Sequence, residues 1–258
     1  MQVVETAKEA VRKKLDVIVG YLTSSQALIA STYLKNHKIP LVLPTATSNA
    51  LDNINPRQIR TCVSNRDQAL ALVNYLKPKK KIQKIAVISM NQCAYCMDLA
   101  NAFMDSSDKK SLPIYLLGKE VETISLQKLK DFQPDAIFIT THEIMAARIY
   151  NYLYDNNVRA KLWIGGDGWS NEQIVLSKMV APRNFEAISL SHWQRSSSHP
   201  NSKAFVKAYK ELHGMPPKGS SGLFYEAFTY LFDSLIEYKS ENKEWDVYSA
   251  LNSKLTFP

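Results

Sequence analysis

Two stretches of this chain carry the same order of apolar and polar positions. Residues 13–48 read KKLDVIVGYLTSSQALIASTYLKNHKIPLVLPTATS, and residues 132–170 read FQPDAIFITTHEIMAARIYNYLYDNNVRAKLWIGGDGWS. Each opens on an aspartate and a short apolar run, Asp16-Val-Ile-Val and Asp135-Ala-Ile-Phe-Ile. A polar turn, an amphipathic stretch and a second apolar run into small and polar residues follow. Short uninterrupted apolar runs predict buried strands, and apolar positions at helical spacing between them predict a helix. Each stretch is therefore a strand–helix–strand unit. Two such units predict two similar lobes with a cleft between them.

The same pattern extends to the rest of the chain. Helices are predicted over residues 5–15, with Ala7, Ala10, Val11 and Leu15 on one side, and over 24–36, with Ser24 or Ser25 as N-cap. Further helices are predicted over 67–76, 94–104, 126–132, 144–156, 202–213 and 223–238, with a last turn or two over 244–251. Strands are predicted over 16–19, 40–43, 59–63, 85–89, 113–117, 135–139, 162–164 and 185–190. Strand alternating with helix implies an α/β architecture of parallel sheets covered by helices on both faces. No low-complexity segment or flexible tether interrupts the order, so short crossovers are expected to join the lobes.

Composition narrows the classes. The chain has 258 residues, 45% of them hydrophobic, enough for two lobes of ordinary size. No apolar run approaches membrane-spanning length. The opening residues, MQVVETAKEA, are amphipathic and carry acids, so they are not read as a secretion signal. The net charge of +8 is dispersed apart from Lys77-Pro-Lys-Lys-Lys81. No aromatic residue interleaves those lysines, so they read as a solvated loop, and no nucleic-acid partner is expected. The three cysteines, Cys62, Cys93 and Cys96, are too few for a disulfide-built scaffold.

Chemistry in parallel α/β units sits on the loops that follow the strands. The two repeats supply four such loops: Thr23-Ser24-Ser25, Thr45-Ala46-Thr47-Ser48, Thr140-Thr141-His142-Glu143 and Gly166-Asp167-Gly168-Trp169. They are rich in hydroxyls and poor in catalytic groups. Ser24 and Ser25 at a helix start suit an anionic ligand group, though an ordinary N-cap explains them as well. Thr47 offers a second hydroxyl or is a turn residue. Asp167, between two glycines, is expected to turn tightly and present its carboxylate outward, toward an ammonium group or into an Asx turn. Cys93-Ala-Tyr-Cys96 has the spacing of a redox pair, of a structural pair, or of half a metal site. No second ligand pair accompanies it. His142-Glu143 lacks the second histidine of a zinc helix, and neither a G-x-G-x-x-G nor a G-x-S-x-G pattern occurs. No catalytic residue, metal or cofactor is therefore expected.

Several segments resemble type I periplasmic binding proteins, in particular the leucine/isoleucine/valine-binding-like substrate-binding proteins of ABC transporters. They are Gly20-Tyr-Leu-Thr-Ser-Ser25, Ile39-Pro-Leu-Val-Leu-Pro-Thr-Ala-Thr-Ser48, Ile59-Arg-Thr61, Asp67-Gln-Ala69, Lys84-Ile-Ala-Val-Ile88, Ile164-Gly-Gly-Asp-Gly168, and His199-Pro-Asn-Ser202 through Phe224-Tyr-Glu-Ala-Phe228. Their order and spacing span nearly the whole chain. The resemblance implies two Rossmann-like lobes closing on a small ligand, residues 1–64 and 191–258 forming the first lobe and 65–190 the second. It implies an amino acid or close analogue as ligand, an ABC transporter permease as partner, and a periplasmic or cell-envelope location. By position, Ser24 and Ser25 with Thr45, Ala46 and Thr47 would bind the carboxylate end. Tyr95 would cover the ligand, Asp167 would take its ammonium, and His142 lies near another family contact. A Cys93–Cys96 disulfide would suit an exported compartment and stiffen the loop that carries Tyr95.

Family members also begin with a strand–helix–strand unit ahead of the helix at which this chain starts, and run on past its end. The first lobe is therefore expected to be incomplete, with a sheet edge left open. Two other functions fit the residues: thiol–disulfide exchange by Cys93 and Cys96, and a degenerate relative that only binds a protein partner.

Overall fold

Short apolar runs build the first of two sheets. The computed structural model describes residues 2–169, 186–241 and 246–253. β1 (Ile18–Val19), β2 (Leu41–Leu43) and β3 (Gln58–Arg60) pair in parallel in that order, with Ile18 opposite Leu41 and Val42 opposite Ile59. Successive side chains of β2 point to opposite faces. Leu41 and Leu43 pack with Ala7 of α1 (Gln2–Arg12) and with Ala27, Ala30 and Leu34 of α2 (Ser24–Leu34). Three helices come from the end of the chain, and two of them cover the other face at Val42 and Ile59. The three are α7 (Pro200–His213), α8 (Gly219–Glu241) and α9 (Val247–Ser253), of which α8 and α9 supply Ala227, Leu231, Val247 and Leu251.

The second sheet has the order β5-β4-β6-β7-β8, all parallel. Its strands are β4 (Lys84–Met90), β5 (Lys110–Leu116), β6 (Ala136–Ile139), β7 (Leu162–Gly165) and β8 (Glu186–Ser189). Alternation again sorts the faces. Ala86, Ile88, Ile137, Ile139 and Trp163 pack against α5 (Leu126–Phe132) and α6 (Glu143–Asp155). Ile85, Val87, Ala136, Phe138, Leu162 and Ile164 pack against α3 (Asn65–Leu76) and α4 (Ala94–Ser106). Helices thus cover both faces, the α/β arrangement expected of continuously apolar strands. β5 runs the full length of β4, from Lys110 opposite Lys84 to Leu116 opposite Met90, and so begins earlier than its apolar residues suggest. Its Pro113 is tolerated because β5 is an edge.

The chain divides into two units, Met1–Val63 with Trp193–Pro258, and Ser64–His192. Among the described residues no helix is long and apolar enough to cross a membrane. Phe185, residues 244 and 245 of the expected last helix, and the end of the chain from Lys254 lie outside the described residues.

Asp135 ties the second sheet together at the start of its strands. Its carboxylate accepts the N–H groups of Gln83 and Lys84 at 3.0 Å each and pairs with Lys161 at 2.8 Å. Burial alone would raise its pKa, but the Lys161 ammonium and the two N–H donors outweigh burial and hold it at about 2, against an ordinary 3.8. A depressed carboxylate pKa means stability that is fully present above about pH 4 and lost as pH falls toward 2. With Lys161 largely in solvent, the contribution is about 1–2 kcal/mol. Asp135→Asn is therefore expected to lower the unfolding free energy by that amount at pH 7. The difference from the parent should vanish near pH 2, as read by urea titrations across pH.

Candidate functional site

In the first unit, the loops after β1 and β2 are tied to each other. Thr23, not Ser24 or Ser25, caps α2: its backbone is extended, its hydroxyl accepts the Gln26 N–H, and the Gln26 side chain accepts the Thr23 N–H, both at 3.3 Å. This reciprocal pair is a capping box, which needs a Gln or Glu three residues after the cap, and only Thr23 has one. Ser24 and Ser25 are thereby moved into the first helical turn. Ser24 is 2% exposed, and its Oγ accepts the Ser48 N–H at 3.2 Å. The Thr45 hydroxyl donates to the Leu22 carbonyl at 2.8 Å, so its proton serves the loop. Ala46 is buried. Thr47 is 1% exposed, and its hydroxyl has no hydrogen-bond partner among the described residues. Arg60 donates to the Ser48 carbonyl at 2.9 Å and pairs with Asp52 at 2.8 Å, which holds the second loop in place. Two buried hydroxyls, Ser24 with a proton to give and Thr47 with both functions open, thus lie on neighbouring loops beside a helix start. Those are groups that bind a carboxylate.

In the second unit, the loops after β4, β6 and β7 converge on Tyr95. Cys93 and Cys96 form a disulfide of 2.02 Å around it, and Cys93 is the N-cap of α4, its sulfur accepting the Cys96 N–H. Both cysteines are buried. The Tyr95 hydroxyl accepts the Gly168 N–H at 2.9 Å, and its ring stacks on His142 with centroids 5.1 Å apart. Burial first, then the negative charge of Asp167, pushes the Tyr95 phenol well above its ordinary pKa, so it stays a neutral hydroxyl. His142 is exposed at the start of α6, and its side chain makes no capping bond.

Asp167 differs from the outward-facing aspartate expected from its glycine neighbours. Its side chain is 17% exposed, one oxygen lies 3.5 Å from Nε2 of His192, and the other is buried without a hydrogen-bond partner among the described residues. Neither flanking glycine has a positive φ. Their role is close approach: a Cβ at Gly166 would stand 2.3 Å from the Tyr95 hydroxyl, and one at Gly168 3.1 Å from it. Small residues here let the β7 loop press onto Tyr95, and that contact turns the carboxylate inward.

His192 escapes sequence reasoning altogether. It follows β8, which pairs with β7, and only that pairing brings it to Asp167. Burial lowers its pKa below 6.5, and the Asp167 charge opposes the shift in part. Among the described residues no group of three or more His, Cys, Asp or Glu side chains is arranged to hold a metal ion. Tyr95, His142, Asp167 and His192 thus come together in the second unit. Ser24, Ser25, Thr45, Ala46 and Thr47 come together in the first.

Residues 1–249 match the family described as receptor family ligand binding region. The chain is 24% identical over 219 residues to Leu/Ile/Val-binding protein homolog 3 of Brucella melitensis, covering 81% of this chain and 57% of that protein. It therefore spans little more than half the length of this curated relative. Among solved structures, the leucine binding protein LivK of Thermotoga maritima superposes with a TM-score of 0.85 at 21% identity, over 96% of this chain and 72% of that one. The branched-chain amino acid transporter substrate binding protein LivJ of Streptococcus pneumoniae, in complex with isoleucine, gives 0.80 at 19% identity, over 97% and 70%.

Proposed function

This chain belongs to the receptor family ligand binding region family and has the fold of type I periplasmic binding proteins, and from that premise we propose that it binds an amino acid or close analogue and releases it unchanged. The observation that carries the reading is Asp167: a largely buried carboxylate, one oxygen of which has no hydrogen-bond partner among the described residues, at the tip of a strand and beside an aromatic ring. Such a group is costly to bury unless a donor completes it, and an ammonium is the donor that does so with charge. The buried hydroxyls of Ser24, at a helix start, and of Thr47, on the neighbouring loop, suit the carboxylate of the same class of ligand. The relatives support the class by name, since one is called a Leu/Ile/Val-binding protein and another holds isoleucine.

Uptake with an ABC transporter permease, in the periplasm, is the role we propose for such binding. Closure of the protein on its ligand is the proposed mechanism. Thiol–disulfide exchange is the weaker reading. An exchanging cysteine has to present its sulfur to a partner, whereas Cys96 is 0% and Cys93 7% exposed.

The test is a thermal-shift and calorimetric panel of the common amino acids, with their amides and with benzoate-type aromatic acids. At least one amino acid should raise the melting temperature, and its amide and decarboxylated amine should not. Aromatic acids without an ammonium should be ineffective, because they leave Asp167 unanswered. A panel in which no amino acid shifts the transition, or in which benzoate does so better than any amino acid, overturns the proposal.

A further inference from the structure

A cavity of about 270 Å³, whose described lining residues all belong to the first unit, lies between the start of α7 and one side of α8. Its aromatic wall is Trp193, Tyr225 and Tyr230, and its acidic wall is Glu226 and Asp233. The rings are held firmly. The Trp193 indole is 8% exposed and presses on the backbone of α8 at Gly222, where a Cβ would come within 2.3 Å of it. Phe205 of α7 stacks on Tyr225 at 4.3 Å and meets Trp193 edge-on at 5.9 Å. The Tyr230 hydroxyl donates to the Leu251 carbonyl at 2.5 Å, which fixes the third ring from behind.

The electrostatics run against the rest of the chain. The protein carries a net charge of +8, yet among the described residues no lysine or arginine lines this cavity. Among the described residues of its wall His199 is the one basic group. Burial raises the pKa of Glu226, and His199 opposes that shift only in part, so this carboxyl is short of counter-charge. A cation entering the cavity would meet aromatic rings, whose faces are negative at their centres, and a carboxylate that gains by pairing.

We propose that this cavity binds a small organic cation of the alkylammonium class, held over the faces of Trp193, Tyr225 and Tyr230 and neutralised by Glu226 and Asp233. A neutral polyol would use the Asn201 and Ser202 side chains of the same wall but would leave both carboxylates unpaired. The cavity is at the small end of ligand sites, so the cation is compact, of about the size of choline. This site shares no residue with the loops that carry Ser24, Thr47 and Asp167.

The test titrates the intact protein with choline and with 3,3-dimethylbutan-1-ol, its uncharged carbon isostere, by calorimetry or by NMR of the indole N–H signals. Choline should bind saturably, and the isostere at least about tenfold more weakly. Glu226→Gln alters an exposed position and should melt as the parent does, whereas Tyr225→Leu gives up the stacking on Phe205 and should melt slightly lower while staying folded. Each should weaken choline by about two- to thirtyfold, the range of a cation–π contact or an exposed charge pair. Asp167→Asn should leave choline affinity unchanged. The proposal fails if choline does not saturate by about 50 mM, well above the weak limit of specific sites. It fails also if the isostere binds as well, if both wall variants bind choline like the parent, or if Asp167→Asn removes choline binding and so places the cation in the other site.

Discussion

Asp167→Asn is expected to weaken the amino acid ligand by about a hundredfold, roughly 2.7 kcal/mol, without lowering the melting temperature of the free protein. Asparagine keeps the shape of the side chain, removes its charge and puts an N–H donor in place of one acceptor oxygen. In the free protein that charge is only partly answered: one oxygen has no hydrogen-bond partner within 3.5 Å among the described residues, the other faces His192 at 3.5 Å, and the Tyr95 hydroxyl lies beside the carboxylate. In the complex it would be the group that answers the ammonium. Stability and affinity should therefore respond differently to the same change, and calorimetry beside a melting curve reads both. An asparagine variant that binds as tightly as the parent would show that the ammonium is not placed there.

The same pair predicts a dependence on pH. Burial holds the His192 pKa below 6.5, so the ring is neutral at pH 7. As pH falls below 6.5, the unfolded chain takes up a proton before the folded one does, and stability declines until the folded pKa is reached. Below that value an imidazolium stands beside Asp167 and competes with the ligand ammonium. Affinity should be level from pH 8 to about 6.5 and fall in more acid solution. Glu143, His142 and the neutral Tyr95 hydroxyl face the same space, so the parent's slope is a property of the cluster. The part due to competition for Asp167 should be missing from Asp167→Asn.

Gly166→Ala is expected to destabilise the second unit by about 2–4 kcal/mol and to reduce ligand affinity with it. The new Cβ would meet the Tyr95 hydroxyl at 2.3 Å and the end of Leu99 at 2.6 Å. Leu99 is fully buried, but the end of its flexible side chain can give way by a small shift. Tyr95 cannot, because it sits between two disulfide-bonded cysteines and its hydroxyl accepts the Gly168 N–H. The ring carbon that bears the hydroxyl lies 3.5 Å from the new atom, an ordinary contact. Removing the oxygen should therefore relieve most of the strain. In a cycle of Gly166→Ala, Tyr95→Phe and the double variant, the double should be more stable than Gly166→Ala alone, by denaturant titration. A Gly166→Ala protein as stable as its parent would mean that Tyr95 is held less tightly than these contacts indicate.

The α/β class could be read along the chain because strand and helix leave different periods in it. Ala136–Ile139 and Leu162–Gly165 are short, apolar at every position and buried at every position, and parallel pairing followed from that. Boundaries were less legible. Gln58–Arg60 stops before the expected Val63, since Arg60 turns to Ser48 and Asp52 on another loop. Thr23 in place of Ser24 as cap could have been found, because Gln26 three residues on completes the capping box.

The order of strands and helices, the parallel α/β class and the family resemblance are legible along the chain, because each rests on residues near one another in it. The surroundings of the site residues were decided in three dimensions. Tyr95 and Gly168 are 73 residues apart, and they meet because β4, β6 and β7 are neighbours in one sheet. The inward turn of Asp167 and the approach of His192 follow from the same strand order. Periodicity records which face of an element is buried, but not which loop ends will share a space. Strand order fixes that, through hydrogen bonds between backbones that look alike in every strand.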